Sequence, residues 1–111
     1  MTMNEERKRR LESQGWQFGD AAGFLGLSEQ EAAYVELKLI LSQKLKQHRK
    51  TSRMTQAELA RLIRSSQSRV AKMEAADPSV SIDLLVRTLL ELGATRAQVA
   101  NAMTKRVSRA A

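Results

Sequence analysis

Residues 55–74 read TQAELARLIRSSQSRVAKME and divide into two short helical segments joined by a tight turn. Thr55 and Glu58 have the spacing of a capping box, in which the side chain of each residue accepts a hydrogen bond from the backbone N–H of the other. Ser66 is a residue type that commonly caps a helix. These signals predict one helix directly after Thr55 and a second directly after Ser66.

Each predicted helix has an apolar face. In the first helix, Leu59, Leu62 and Ile63 recur at helical spacing. In the second, Val70 and Met73 lie three residues apart and are expected to face inward. The outward side of the second helix is polar and basic, and its residues are Gln67, Ser68, Arg69 and Lys72. Such side chains at the start of a helix are typical of one that reads base edges and phosphates in a DNA groove.

This pattern resembles the Xre/Cro–CI family of phage-repressor-like helix-turn-helix proteins, and the resemblance covers residues 41–92. It implies a five-helix, lambda-repressor-like domain that binds double-stranded DNA as a homodimer. By position it implies base contacts for Gln67, Ser68 and Lys72, backbone or phosphate contacts for Gln56 and Ser66, and a role between these for Arg69. It also places Arg49 and Glu74 at the family's buried ion pair, which ties the first helix to the end of the recognition helix.

Two positions depart from the family pattern, which often has glycine before the first motif helix and in the turn. Arg53 and Arg64 occupy these positions. A non-glycine residue with a positive φ costs about 1 kcal/mol, so either the two turns differ from those of the family or phosphate contacts offset the strain. Ser79, in the segment after the recognition helix, is a further candidate for a phosphate contact.

The composition predicts a small all-α domain without a metal or cofactor. The chain has 111 residues, one proline and many helix-favouring residues, and no alternating pattern predicts a strand. There is no cysteine, and His48 is the single histidine. Disulfides, thiolate metal sites and histidine-cluster metal sites are therefore excluded. No apolar segment is long enough to cross a membrane and no secretion signal is present, so we expect a cytoplasmic protein.

The charge is concentrated on the predicted motif. The net charge is +7, and residues 38–72 carry ten basic groups against Glu58 alone. A basic block that coincides with a helix-turn-helix indicates a surface for phosphates. Clustered carboxylates, a Ser–His–Asp or Cys–His set and a phosphate-cradling glycine loop are all missing. We therefore expect a binding protein rather than an enzyme.

The residues before the motif differ in composition from the rest of the chain. Every aromatic residue precedes position 35, and four of the five glycines fall within residues 13–27. We predict a partly disordered aromatic arm at residues 1–27, the helix-turn-helix domain at residues 28–104 and a basic tail at residues 105–111. The predicted association surface comprises Trp16, Phe18, Phe24, Tyr34, Val35 and Leu39. It either packs on its own domain or a second subunit, or binds a dedicated partner.

Residues 16–39 resemble antitoxin-type members of the same family, the HigA-like antitoxins, in which segments outside the motif bind a toxin. This resemblance implies a repressor that neutralises a cognate toxin and regulates its own operon. The alternative is a stand-alone Xre-type transcriptional regulator with no toxin partner. A pure protein-interaction module is a third interpretation, but it leaves the polar outward side of residues 67–72 unexplained.

Overall fold

Five α-helices account for the regular secondary structure of the residues that the structure describes. The structure is a computed structural model and describes Gly26 and residues 28–105. The helices are α1 (Glu29–Thr51), α2 (Gln56–Leu62), α3 (Gln67–Glu74), α4 (Ile82–Glu91) and α5 (Arg96–Met103). The prediction of an all-α, five-helix fold is confirmed.

The chain divides into two compact units, Met1–Glu36 and Leu37–Ala111, and the division falls within α1. In the first unit, a capping box begins α1: the Glu31 N–H donates to the Ser28 hydroxyl at 3.0 Å, and the Ser28 N–H donates to the Glu31 carboxylate at 2.8 Å. Tyr34 is 51% exposed, and Val35 is half-buried. Of the other predicted association residues, Leu39 lies half-buried in the second unit, while Trp16, Phe18 and Phe24 lie outside the described residues.

The core of the second unit is built from apolar side chains of all five helices. Its buried members include Leu41, Leu45, Leu59, Val70, Met73, Leu85, Leu89 and Val99. Burying one such side chain fully contributes about 1.5–3 kcal/mol to stability. Leu62, which shares the predicted apolar face with Leu59 and Ile63, is 44% exposed. With 3.6 residues per turn, α2 turns Leu59, Ala60 and Ile63 toward the core, which leaves Leu62 at the margin of that face.

Hydroxyl side chains cap the start of each of the other four helices. The caps are Thr55 for α2, Ser66 for α3, Ser81 for α4 and Thr95 for α5, and each accepts from the backbone N–H three residues later. At α2, the Glu58 carboxylate also accepts from the Thr55 backbone N–H at 2.8 Å. This bond, together with the hydroxyl contact of Thr55, holds the pKa of Glu58 below its usual value. The starts of the motif helices are therefore fixed by local hydrogen bonds.

Four helices end in the same hydrogen-bonding pattern, the Schellman motif, in which the residue after the C-cap adopts a left-handed conformation. That residue is Arg53 after α1 (φ +57°), Arg64 after α2 (+56°), Ala76 after α3 (+54°) and Gly93 after α4 (+103°). The following N–H closes each motif, as where Ser65 donates to the Ala60 carbonyl at 2.8 Å. The left-handed Ala76 ends α3 at Glu74. The helix thus stops before Asp77-Pro78.

The left-handed Ala76 allows the effect of this conformation on the free energy of unfolding to be measured. We expect Ala76→Gly to raise the free energy of unfolding by about 0.5–1 kcal/mol, because the relief of about 1–2 kcal/mol exceeds the added freedom of the unfolded chain. Gly93→Ala is the matched control and should lower the free energy of unfolding by about 1 kcal/mol. A Cβ at Gly93 meets no atom within 4 Å, so its effect is confined to the backbone. Urea denaturation measures both, and shifts in the same direction would contradict the strain.

Candidate nucleic-acid interface

The core fixes which side of α3 faces solvent. Helices α2 and α3 pack against each other across the turn at residues 63–66. Val70 and Met73 on α3 are fully buried, and they meet Leu59 and Ala60 of α2 in the core. Because these two buried residues are three positions apart on one side of α3, the opposite side is turned toward solvent.

The exposed side of α3 brings together the residues assigned to base contacts. Gln67, Ser68 and Lys72 are all exposed, as is Arg69. Gln67 and Ser68 lie in the first turn, directly after the Ser66 cap, and Lys72 follows one turn later. The same side carries the exposed methyl groups of Ala71 and Ala75, which no sequence signal marks as contacts. The face is therefore polar at its start and contains no acidic side chain among its exposed residues from 67 to 72.

Three further predicted phosphate-binding residues are exposed and have donors available. The Ser66 hydroxyl oxygen accepts from the Arg69 N–H at 3.1 Å, which leaves the hydroxyl hydrogen able to donate to an anion. Arg53 and Arg64 are exposed, and both adopt the left-handed conformation. The turns thus retain the conformation that favours glycine even though arginine stands in its place. At each of these two residues, the left-handed conformation costs about 1–2 kcal/mol.

Two other candidates are engaged within the protein. The Ser79 N–H and hydroxyl both donate to the Asp77 carboxylate, at 2.9 and 2.7 Å, and these bonds lower the pKa of Asp77. The single hydroxyl hydrogen of Ser79 is therefore used within the loop. Gln56 is half-buried, and its amide nitrogen donates to the Glu74 carboxylate at 3.1 Å. One amide hydrogen of Gln56 remains for an outside acceptor.

A buried ion pair joins the ends of α1 and α3. The Arg49 guanidinium donates to the Glu74 carboxylate through Nε and also through Nη2, the latter at 3.0 Å. The two side chains are only 10% and 4% exposed. Hydrogen bonding to Glu74 raises the pKa of Arg49. Arg49 also donates from Nη1 to the Met54 carbonyl at 2.8 Å, so the pair fastens the segment before α2 as well.

The roles of Gln56 and Met54 in this network were not predicted. Gln56 lies 18 positions from Glu74, so no local spacing signals their contact. The Met54 carbonyl is a backbone acceptor, which leaves no trace in the side-chain pattern. Together the contacts connect α1, α2 and α3 through one carboxylate and one guanidinium, and they hold the end of α3 against the start of α2.

We expect Arg49→Ala and Glu74→Ala each to lower the free energy of unfolding by about 3–5 kcal/mol, because either change leaves a buried charge unpaired. The double variant should be less destabilised than the two losses added together, by a coupling of about 1–3 kcal/mol in urea denaturation. Arg87→Ala is the control. Arg87 pairs with Asp83 at 3.9 Å where both side chains are 78% exposed, so its loss should cost less than about 0.5 kcal/mol. Additive effects of Arg49 and Glu74 would contradict the coupling.

The described part of the chain offers neither a metal site nor a membrane span. No group of histidine, aspartate and glutamate residues in it is placed to hold a metal ion. None of its helices has the length and apolar character needed to cross a bilayer.

Comparison with known proteins agrees with the geometry of α2 and α3. A family model described as a helix-turn-helix domain matches residues 40–102, which is more than half of the chain. No curated protein and no solved structure matches the chain. The matched segment includes both motif helices, the Arg49–Glu74 ion pair and the whole exposed side of α3. The chain therefore belongs to the helix-turn-helix domain family of DNA-binding proteins.

Proposed function

We propose that the protein is a sequence-specific transcriptional repressor of the Xre/Cro–CI type that binds operator DNA as a homodimer in the cytoplasm. The observation that carries this proposal is the exposed side of α3, where Gln67, Ser68 and Lys72 stand together while Val70 and Met73 lock the other side into the core. Side chains held on a rigid helix reach base edges at fixed positions, which is what sequence preference requires.

The exposed groups divide into two roles. Gln67, Ser68 and Lys72 read bases in the major groove, since glutamine pairs well with adenine and lysine with guanine. Phosphates are bound by exposed groups outside this set, which are Arg53, Arg64, Ser66 and Arg69. Gln56 joins them through its remaining amide hydrogen, and Ser79 joins them only if its hydroxyl leaves Asp77. A homodimer places two such faces on half-sites about one helical turn apart.

We further propose that this repressor is the antitoxin of a toxin–antitoxin pair and represses its own operon. The support is the resemblance of residues 16–39 to antitoxin-type members, together with the exposure of Tyr34. A stand-alone regulator is the alternative, and the DNA site is the same in both. The two are separated by expressing small reading frames adjacent to the gene with and without this protein. Growth arrest that this protein relieves supports the antitoxin, and the absence of any such frame supports the stand-alone regulator.

Base reading is tested by selecting duplexes from a random pool. Wild-type protein should enrich a motif with two-fold symmetry, and Gln67→Ala should relax preference at one position of each half-site, at a cost of about 1–3 kcal/mol. Gln47→Ala removes an exposed glutamine from α1 and serves as the control, with the wild-type preference retained. A wild-type selection that returns no enriched motif would contradict sequence-specific recognition.

The strained Arg64 gives a test in which stability and DNA binding change in opposite directions. Arg64→Gly should raise the free energy of unfolding by about 0.5–1 kcal/mol, because the left-handed strain is relieved. It should also lower the slope of log affinity against log salt by about 0.9, because one phosphate contact is lost. Sequence preference should not change.

Ala76→Gly is the matched control for Arg64→Gly, since it relieves the same strain without removing a charge. It should gain stability and bind DNA with the wild-type salt slope. If Arg64→Gly also binds DNA with the wild-type affinity and slope, Arg64 makes no phosphate contact.

A further inference from the structure

A basic recess lies beside the start of α3 and reaches beyond the helix-turn-helix motif. It has a volume of about 250 Å³, and its arginines come from three separate elements: Arg64 from the turn after α2, Arg69 from the first turn of α3 and Arg87 from the middle of α4. All three arginines are exposed. Part of its wall is formed by Leu84 and Thr88 of α4, which are half-buried and buried, respectively.

The charge around the recess favours an anion. Glu91 is the one acidic residue in its lining, against the three arginines. Arg87 approaches Asp83 at 3.9 Å, but both side chains are 78% exposed. An ion pair this exposed contributes little to stability, so Arg87 can exchange Asp83 for another partner. The planar guanidinium groups match the geometry of phosphate oxygens, which they bind through two N–H donors at once.

The position of Arg69 indicates where such an anion comes from. Arg69 lies in the same first turn of α3 as Gln67 and Ser68, which the proposed function places in the major groove. An anion held by Arg69 therefore lies at the edge of that groove, where the phosphates of the bordering strand run. Arg87 belongs to α4, outside residues 55–74, and was not among the residues predicted to touch DNA.

We propose that Arg64, Arg69 and Arg87 together bind a backbone phosphate of the DNA strand that borders the groove entered by α3. This inference rests on the proposed function and extends it, because it makes α4 part of the DNA interface. Arg87 is then a binding residue that positions the recognition helix from outside the motif and carries no information on sequence.

The test is the salt dependence of Arg87→Ala on the selected duplex. The slope should fall by about 0.9 and the affinity should drop about tenfold at fixed salt, with the selected sequence unchanged. Arg96→Ala removes the same charge from the exposed first residue of α5, outside the recess, and should change both quantities much less. Arg87→Lys retains the charge and should recover most of the slope but less of the affinity, because the paired N–H donors are lost.

Neutral methylphosphonate linkages locate the contact. Replacing the bordering phosphates one at a time should weaken wild-type binding at one position of each half-site, and Arg87→Ala should lose its sensitivity at that position alone.

The inference is overturned if the wild type binds its selected duplex while Arg87→Ala behaves like Arg96→Ala. It is also overturned if inorganic phosphate raises the melting temperature of the wild type but not of Arg87→Ala while duplex binding is unaffected, since the recess then holds a free anion. If the wild type binds no duplex, the proposed function itself is wrong.

Discussion

The orientation of α3 depends on the ion pair between Arg49 and Glu74. Two charges withdrawn from water destabilise a fold unless each finds its full set of partners. Here the Glu74 carboxylate accepts from Arg49 twice and from Gln56 once, and the third donor of Arg49 reaches the Met54 carbonyl. This geometry is satisfied only when the end of α3 lies against α1 and the start of α2. Contacts on the buried side of α3 therefore determine which of its sides is exposed.

The arginines in the turns show a conflict between stability and binding. Arg53 and Arg64 adopt a conformation in which glycine has no strain, and each raises the energy of the fold by about 1–2 kcal/mol. Strained backbone positions persist where the surrounding structure fixes them, and they concentrate at functional sites. On our proposal, the positive charge at these two turns outweighs the loss because it lies where phosphates approach. Ala76 has the same strain and no charge, so this reasoning does not extend to it.

Local signals were enough to predict most of the fold. Capping spacings and apolar repeats gave the starts of α2 and α3, because both effects act within one turn of helix. Contacts between distant residues were harder to predict: Arg49 with Glu74 came only from family resemblance, and Gln56 with Glu74 was missed. The recess was missed for the same reason, since Arg87 on α4 has no local relation to the motif. The outward side of α3 could be predicted because helical spacing already identified the residues on its inward side.

On our proposal, α3 meets DNA through the side that the core leaves exposed. An NMR titration of the ¹⁵N-labelled protein with the selected duplex tests this. We expect the largest shifts of backbone amides at residues 64–72, with smaller changes at Arg53 and none at the fully buried Leu45 and Leu89. If the largest shifts fall instead on residues 28–36 or on α5 while α3 is unperturbed, another surface of the protein binds DNA.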